Sequence, residues 1–161
     1  YFVHPIFANL NHIEKNHNFE KFHMIGISGG AWVTTLYSAL DERIEKSYAI
    51  GGPLPRFLTV NVPANQGDYE LNLPLLYDNA NILELFIMSS YGNEREHMKI
   101  LNKYDPCCYY GITFEIFEKN IQNKMDKLDN GSFKIHLDTM NKKHSISKES
   151  MNLILSSLLK Q

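Results

Sequence analysis

A five-residue segment, Gly-Ile-Ser-Gly-Gly at positions 26–30, constrains the fold of this chain more than any other feature. An apolar run at 22–27 leads into it and is typical of a buried strand, whereas the apolar segment that follows, 29–40, is typical of a buried helix. A strand passes this abruptly into a helix only through a very tight turn, in which side chains at Gly26 and Gly30 would clash. The motif therefore predicts a turn that exposes Ser28 above the edge of a sheet.

The rest of the chain alternates between the two hydrophobic periodicities. Further strands are predicted at 44–50, 97–104 and 132–137, and helices at 3–15, 81–91, 113–128 and 148–159. Strands that alternate with helices imply right-handed crossovers, and hence an α/β fold with a parallel sheet of about four strands flanked by helices. The stretch 54–80 has three prolines and no clear period, so we expect a cap-like insertion at about 54–92.

Composition excludes several classes of partner. The chain has 16 basic and 18 acidic side chains. Its formal net charge of −2 therefore creates no long-range electrostatic attraction for nucleic acid or anionic lipid. The sequence lacks an apolar run long enough for a membrane span. The two cysteines, Cys107 and Cys108, are adjacent and do not form a C-x-x-C motif, so we interpret them as partly buried thiols. Because neither a metal-ligand pattern nor a phosphate-binding loop is visible, we expect no metal and no cofactor.

A serine is a weak nucleophile unless a base and an orienting acid assist it. In a parallel sheet, both would come from loops after later strands. Asp105 follows the third predicted strand, and His144 lies in the polar loop after the fourth. The amide of Gly29, at the start of a helix, would donate to an oxyanion. Ser28, His144 and Asp105 together predict hydrolysis of a small-molecule ester or acyl substrate through an acyl-enzyme.

Alternatives exist for each of these residues. Ser28 could instead be the capping serine of a glycine-rich turn, and Asp138, at the end of the fourth strand, is the main rival to Asp105. Asp78 and Asp68 are weaker rivals for the acid. Trp32, on the helix after Ser28, could belong to the core or line the acyl pocket. The remaining histidines fit surface or sheet positions better than the position of a catalytic base. They are His4, His12, His17, His23, His97 and His136.

Three stretches carry a resemblance to a known family: residues 24–35 around the serine, Gly-Asp-Tyr-Glu at 67–70, and Asn-Lys-Tyr-Asp-Pro-Cys-Cys at 102–108. They resemble a bacterial branch of the α/β-hydrolase superfamily near dienelactone-hydrolase and acetyl-esterase-like proteins. The order serine, acid, histidine is also that of α/β-hydrolases. The resemblance covers nearly the whole chain. It implies the α/β-hydrolase fold and the activity of a serine esterase, but it does not indicate a particular substrate.

The resemblance also implies that residues 1–161 are the C-terminal part of a single domain. In this superfamily the second oxyanion donor lies on a loop after an earlier strand, and earlier strands flank the nucleophile strand. The chain begins at Tyr1 without a signal-peptide pattern and shows no such strands. We therefore expect it to need a missing N-terminal half or a partner chain. A peptidase of the same fold and a catalytically inactive truncated protein remain alternatives, and the compartment is not indicated.

Overall fold

The structure, a computed structural model, describes residues 2–59, 62–63, 66–67 and 69–159. A four-stranded parallel sheet forms its centre, with the strands side by side in chain order. The strands are β1 (Phe22–Ile27), β2 (Ile44–Ile50), β3 (Glu96–Asn102) and β4 (Ser132–Asp138). The predicted parallel sheet of about four strands is confirmed.

The register of the strands brings their carboxyl ends to one edge of the sheet. Ile27 pairs with Ile50, which pairs with Ile100, and Asn102 pairs with Asp138. Because every strand runs in the same direction, the loops that follow β1, β3 and β4 emerge at this edge. These loops carry the candidate serine, acid and histidine.

Helices cover both faces of the sheet. They are α1 (His4–Asn16), α2 (Gly29–Leu40), the single turn α3 (Pro74–Tyr77), α4 (Ile82–Ser90), α5 (Glu118–Leu128) and α6 (Lys148–Leu158). The largest core cluster joins α2, α4 and α5 on one face, with Trp32, Phe86 and Phe117 at its centre. On the other face, Ile154 of α6 packs against Tyr48 and the neighbouring strand residues. The chain is thus a three-layer α/β/α arrangement.

Several boundaries differ from the sequence-based ones. β3 ends at Asn102 rather than at 104, because the chain turns there toward Asp105. The predicted helix at 113–128 is a 3₁₀ turn (Thr113–Ile116) followed by α5. The irregular stretch contains 3₁₀ turns at Arg56–Leu58 and Tyr69–Asn72 as well as α3. The cap-like role of 54–92 stays a prediction, although α4 within that range packs in the core.

β1 forms one edge of the described sheet and is the least covered strand. On one face, Gly26 lies under the first turn of α2. On the other face, Ile25 and Ile27 are 47% and 38% exposed. A bilayer-crossing helix would need more length and apolar character than any helix of the described residues has.

Candidate active site

Ser28 stands on the turn between β1 and α2 in a conformation that non-glycine residues rarely adopt. Its φ is 58° and its ψ is −120°, and such backbone strain costs about 1–3 kcal/mol. The Ser28 amide donates to the carbonyl of Ile50 across the sheet at 2.9 Å, which anchors the turn. Although Ser28 precedes α2, its side chain makes no capping hydrogen bond. The capping-serine alternative is therefore wrong, and the hydroxyl is not engaged by its own helix.

The two glycines of the motif do not have the same role. A Cβ added at Gly26 would lie 2.1 Å from the carbonyl oxygen of Gly30, so α2 crosses Gly26 too closely for any side chain. A Cβ added at Gly30 would meet no atom of the described residues within 4 Å. The expected clash is present at Gly26 and absent at Gly30, because the Gly30 position faces outward and only its backbone contacts the strand.

His144 and Asp105 form a direct pair. The ring atom Nδ1 of His144 lies 2.9 Å from Oδ2 of Asp105, whose side chain is 1% exposed. The other carboxylate oxygen, Oδ1, accepts the backbone amide of Cys107 at 2.8 Å and a longer bond from that of Cys108 at 3.4 Å. The carboxylate is thus held from both sides. With Nδ1 directed at Asp105, Nε2 becomes the ring atom that can act on another group.

Asn102, at the end of β3, positions the loop that carries the histidine. Its side-chain amide donates to the backbone carbonyls of Lys143 and Ser145, each at 3.0 Å. These two residues flank His144, so one buried side chain holds the histidine's backbone from both sides. Sequence reasoning placed Asn102 inside a longer strand and missed this function. The available signal was a polar residue at a strand end, three positions before Asp105.

Asp138, the main rival for the acid, has a different set of partners. Its Oδ1 accepts the amides of Met140 and Asn141 at 2.9 and 2.8 Å, and its Oδ2 accepts the hydroxyl of Ser150 at 3.1 Å. Burial raises the pKa of Asp138, but hydrogen bonds, led by that from Ser147, outweigh burial and lower the pKa overall. Asp138 therefore closes the turn after β4. Of the weaker rivals, Asp78 is exposed and Asp68 lies outside the described residues.

Ser28 and His144 lie on either side of the segment at which β2 ends. Ser28 bonds to Ile50, and a Cβ added at the next residue, Gly51, would lie 3.4 Å from Cε1 of His144. Gly51 has a φ of 54°, which glycine adopts without strain. Within the described residues, Nε2 of His144 is buried and makes no hydrogen bond, so the Ser28–His144 bond is not formed here.

A cavity of about 260 Å³ opens beside Ser28. Its lining consists of Ser28, Gly29, Trp32, Pro63, Gly67, Leu71, Cys107, Cys108 and Tyr109. Gly29 is the first residue of α2, and its amide has no carbonyl partner within the helix by position. Trp32 is buried in the core and also lines this cavity, so the two positions considered for it do not exclude each other. The site thus combines a hydroxyl, an amide at the positive end of a helix and an open cavity.

The two cysteines lie much closer to the histidine than their sequence positions suggest. Cys107 is exposed and Cys108 is buried, and both are thiols rather than a disulfide. Their sulfur atoms are 2.9 Å apart, and a ring nitrogen of His144 lies within 4.8 Å of both. The cluster has no C-x-x-C signature in the sequence, because the two cysteines are adjacent and the third donor comes from the loop after β4.

The remaining histidines lie away from the site. His97 is fully buried in β3 and hydrogen-bonds with Ser47 at 2.7 Å. Burial, together with the nearby charges of Lys99 and Arg95, lowers the pKa of His97 to about 3, so its ring is neutral. His136 is half-buried in β4, and the four others are exposed: His4, His12, His17 and His23.

No sequence-family model matches the chain, and no curated protein matches it by sequence. Solved structures do match. A chain described as a dienelactone hydrolase from Klebsiella pneumoniae subsp. pneumoniae is 13% identical, with a TM-score of 0.59 over 96% of this chain and 60% of its own. The Pyrococcus furiosus esterase Pf2001 is 14% identical, with a TM-score of 0.57 over 96% and 57%.

A third similar structure is Est1E from Butyrivibrio proteoclasticus, which is 10% identical with a TM-score of 0.60 over 96% of this chain and 68% of its own. The chain therefore spans about 60% of the length of the first two structures it matches. At these identities the similarity establishes the fold. The chain has the fold of part of an α/β-hydrolase.

Proposed function

We propose that this chain carries the catalytic residues of a serine hydrolase that cleaves a carboxylic ester. The observation that carries the proposal is the His144–Asp105 hydrogen bond, formed at the same edge of the sheet as the strained turn of Ser28. Structures with the same fold include two named as esterases, which supports an ester substrate, and one named as an acylaminoacyl peptidase, which keeps the peptidase as the second candidate.

The proposed reaction begins at Nε2 of His144. Because Nδ1–H donates to Asp105, Nε2 holds a lone pair and accepts the proton of Ser28 as the hydroxyl attacks the carbonyl carbon. The negative charge that develops on the carbonyl oxygen is stabilised by the amide of Gly29. His144 then gives the proton to the leaving alcohol, and an acyl-enzyme forms. Water activated by the same histidine releases the acid.

This reaction requires a hydrogen bond between Ser28 and His144. Catalytic hydrogen bonds often tighten only when substrate is bound. Nε2 is buried beside Gly51, one residue from the carbonyl that holds the Ser28 turn. The reaction therefore requires the loop after β4 to bring Nε2 and the Ser28 hydroxyl into contact when substrate binds.

The exposed edge of β1 supports a second part of the proposal. In the described sheet β1 pairs only with β2, and Ile25 and Ile27 expose apolar surface beside the unpaired edge. Such an edge favours the addition of another strand. We infer that strands from elsewhere in the same domain, or from a partner chain, pair with β1 and supply the second oxyanion donor.

Labelling of the purified chain with a fluorophosphonate probe tests the proposal. We expect Ser28 to be labelled, Ser28→Ala to be silent, and the control Ser145→Ala, in the neighbouring histidine loop, to be labelled as the wild type. Hydrolysis of short acyl esters compared with peptide amides separates an esterase from a peptidase. A folded protein that contains the strands inferred to pair with β1 and still remains unlabelled would contradict the proposal and favour the inactive alternative.

A further inference from the structure

Three soft donor atoms meet beside the candidate base. The sulfur atoms of Cys107 and Cys108 and one ring nitrogen of His144 lie within 4.8 Å of one another. Thiolate and imidazole are the ligands that Zn²⁺ and similar thiophilic cations prefer, and two cysteines with one histidine form a known type of open zinc site. The cluster contains no carboxylate, so it does not suit Ca²⁺ or Mg²⁺.

The hydrogen bonding of His144 leaves one ring nitrogen available to a metal ion. Its Nδ1 is engaged by Asp105 at 2.9 Å, whereas its Nε2 is buried and has no hydrogen-bond partner among the described residues. Histidines that bind metals commonly direct their second ring nitrogen at a carboxylate in this way, which fixes the ring and raises the basicity of the ligating nitrogen.

We propose that Cys107, Cys108 and His144 form a binding site for a thiophilic divalent cation of the Zn²⁺ type. Binding deprotonates both thiols and releases two protons to solvent, so two thiolates balance the charge of the cation. The sulfur atoms, now 2.9 Å apart, must separate by roughly 1 Å, since a tetrahedral cation with Zn–S bonds of about 2.3 Å spaces them further. Cys107 is exposed and provides the route of entry.

A bound cation would occupy the atom that the proposed reaction needs. Nε2 of His144 cannot both coordinate the cation and accept the proton of Ser28, so metal binding switches hydrolysis off. This consequence rests on the proposed function, whereas the binding site itself does not. The cation site can therefore exist whether or not the chain hydrolyses esters.

Titration of the intact chain with Cd²⁺ tests the site through its thiolate-to-metal absorption in the ultraviolet. The sequence contains only two cysteines, so the band reports on Cys107 and Cys108 alone. We expect saturation at one equivalent, and no band in the double variant Cys107→Ser/Cys108→Ser. Asp105→Asn should weaken binding by about 10–100-fold, because it removes the carboxylate that orients the histidine. His12→Gln, in exposed α1, is the control and should bind as the wild type.

His144→Gln gives the decisive comparison, with circular dichroism to establish that each variant is folded. We expect a large loss of Cd²⁺ affinity. Unchanged affinity in both His144→Gln and Asp105→Asn would overturn the site as proposed, as would the absence of a saturable band. Zn²⁺ should inhibit ester turnover by the wild type, and a chelator should restore it. Turnover by the double cysteine variant should be insensitive to Zn²⁺. A band without any turnover, in a protein that contains the strands inferred to pair with β1, would contradict the proposed function and leave the site standing.

Discussion

The side-chain amide of Asn102 holds the backbone on both sides of His144, since it donates to the carbonyls of Lys143 and Ser145 at 3.0 Å each. The candidate base is thus positioned from the end of β3, the same strand that leads to its partner Asp105. One short segment of the chain, residues 102–105, orients the histidine through both its backbone and its ring.

Replacement of Asn102 by Ala should therefore impair catalysis through His144. We expect a lower kcat with little change in KM, because Asn102 does not line the cavity beside Ser28. Loss of the buried hydrogen bonds that Asn102 donates should also cost about 1–3 kcal/mol of unfolding free energy. Steady-state kinetics and urea unfolding measure the two effects. The control Asn123→Ala, on the exposed face of α5, should change neither kcat nor the free energy of unfolding. If Asn102→Ala raised KM by the same factor by which it lowered kcat, a role in positioning His144 would be contradicted.

Asp105 and Asp138 can be distinguished by the same substitution. Asp105→Asn should lower kcat by about 10⁴-fold, because the amide favours the wrong tautomer of His144. Asp138→Asn should instead weaken the turn after β4 and cost about 1 kcal/mol of stability, since its bonds to Met140, Asn141 and Ser150 lose their charge. If the larger loss of kcat occurred in Asp138→Asn, the acid would be misassigned.

The two motif glycines should respond oppositely to alanine. Gly26→Ala places a Cβ 2.1 Å from the carbonyl of Gly30, so we expect displacement of α2, a lower Tm and loss of Ser28 labelling. Gly30→Ala introduces a Cβ into open space in a helix and should leave Tm unchanged or raise stability by up to about 1 kcal/mol. Thermal unfolding with probe labelling checks both. A Gly26→Ala protein with normal Tm and normal labelling would refute the steric role of this glycine.

Lys99 should make stability depend on pH above neutrality. Its Nζ is buried over the ring of Phe86 with no hydrogen-bond partner in the described part of the chain, and burial lowers its pKa to about 7. Between pH 7 and about 10.5, the unfolded chain binds the proton that the folded chain does not, so stability rises with pH by up to about 1.4 kcal/mol per unit.

Lys99→Met should remove this rise, whereas Lys124→Met, on the exposed surface of α5, should retain it. Urea unfolding at pH 7, 8 and 9 provides the measurement. A flat wild-type profile over this range would show that Lys99 finds a partner or solvent in the folded protein.

Local features of the sequence predicted the parallel sheet and the tight turn between β1 and α2. The turn at Ser28 depends on residues adjacent in the chain, and Asp105 and His144 were recognisable because they follow strands. Asn102 and the Cys107–Cys108–His144 cluster escaped prediction, because their significance arises from the approach of the loop after β4. The sheet position expected for His97 is confirmed, but its complete burial depends on stacking between Phe86 and Phe133, which come from other elements.

The parallel order of the strands also affects how the site can form. Ser28, Asp105 and His144 follow three different strands, and every pairing that aligns those strands joins residues distant in the chain. Long-range pairing of this kind is slow, because loop closure must precede the contacts that stabilise it. Regain of Ser28 reactivity during refolding should therefore lag behind helix formation, which makes the nucleophile a late kinetic reporter of sheet assembly.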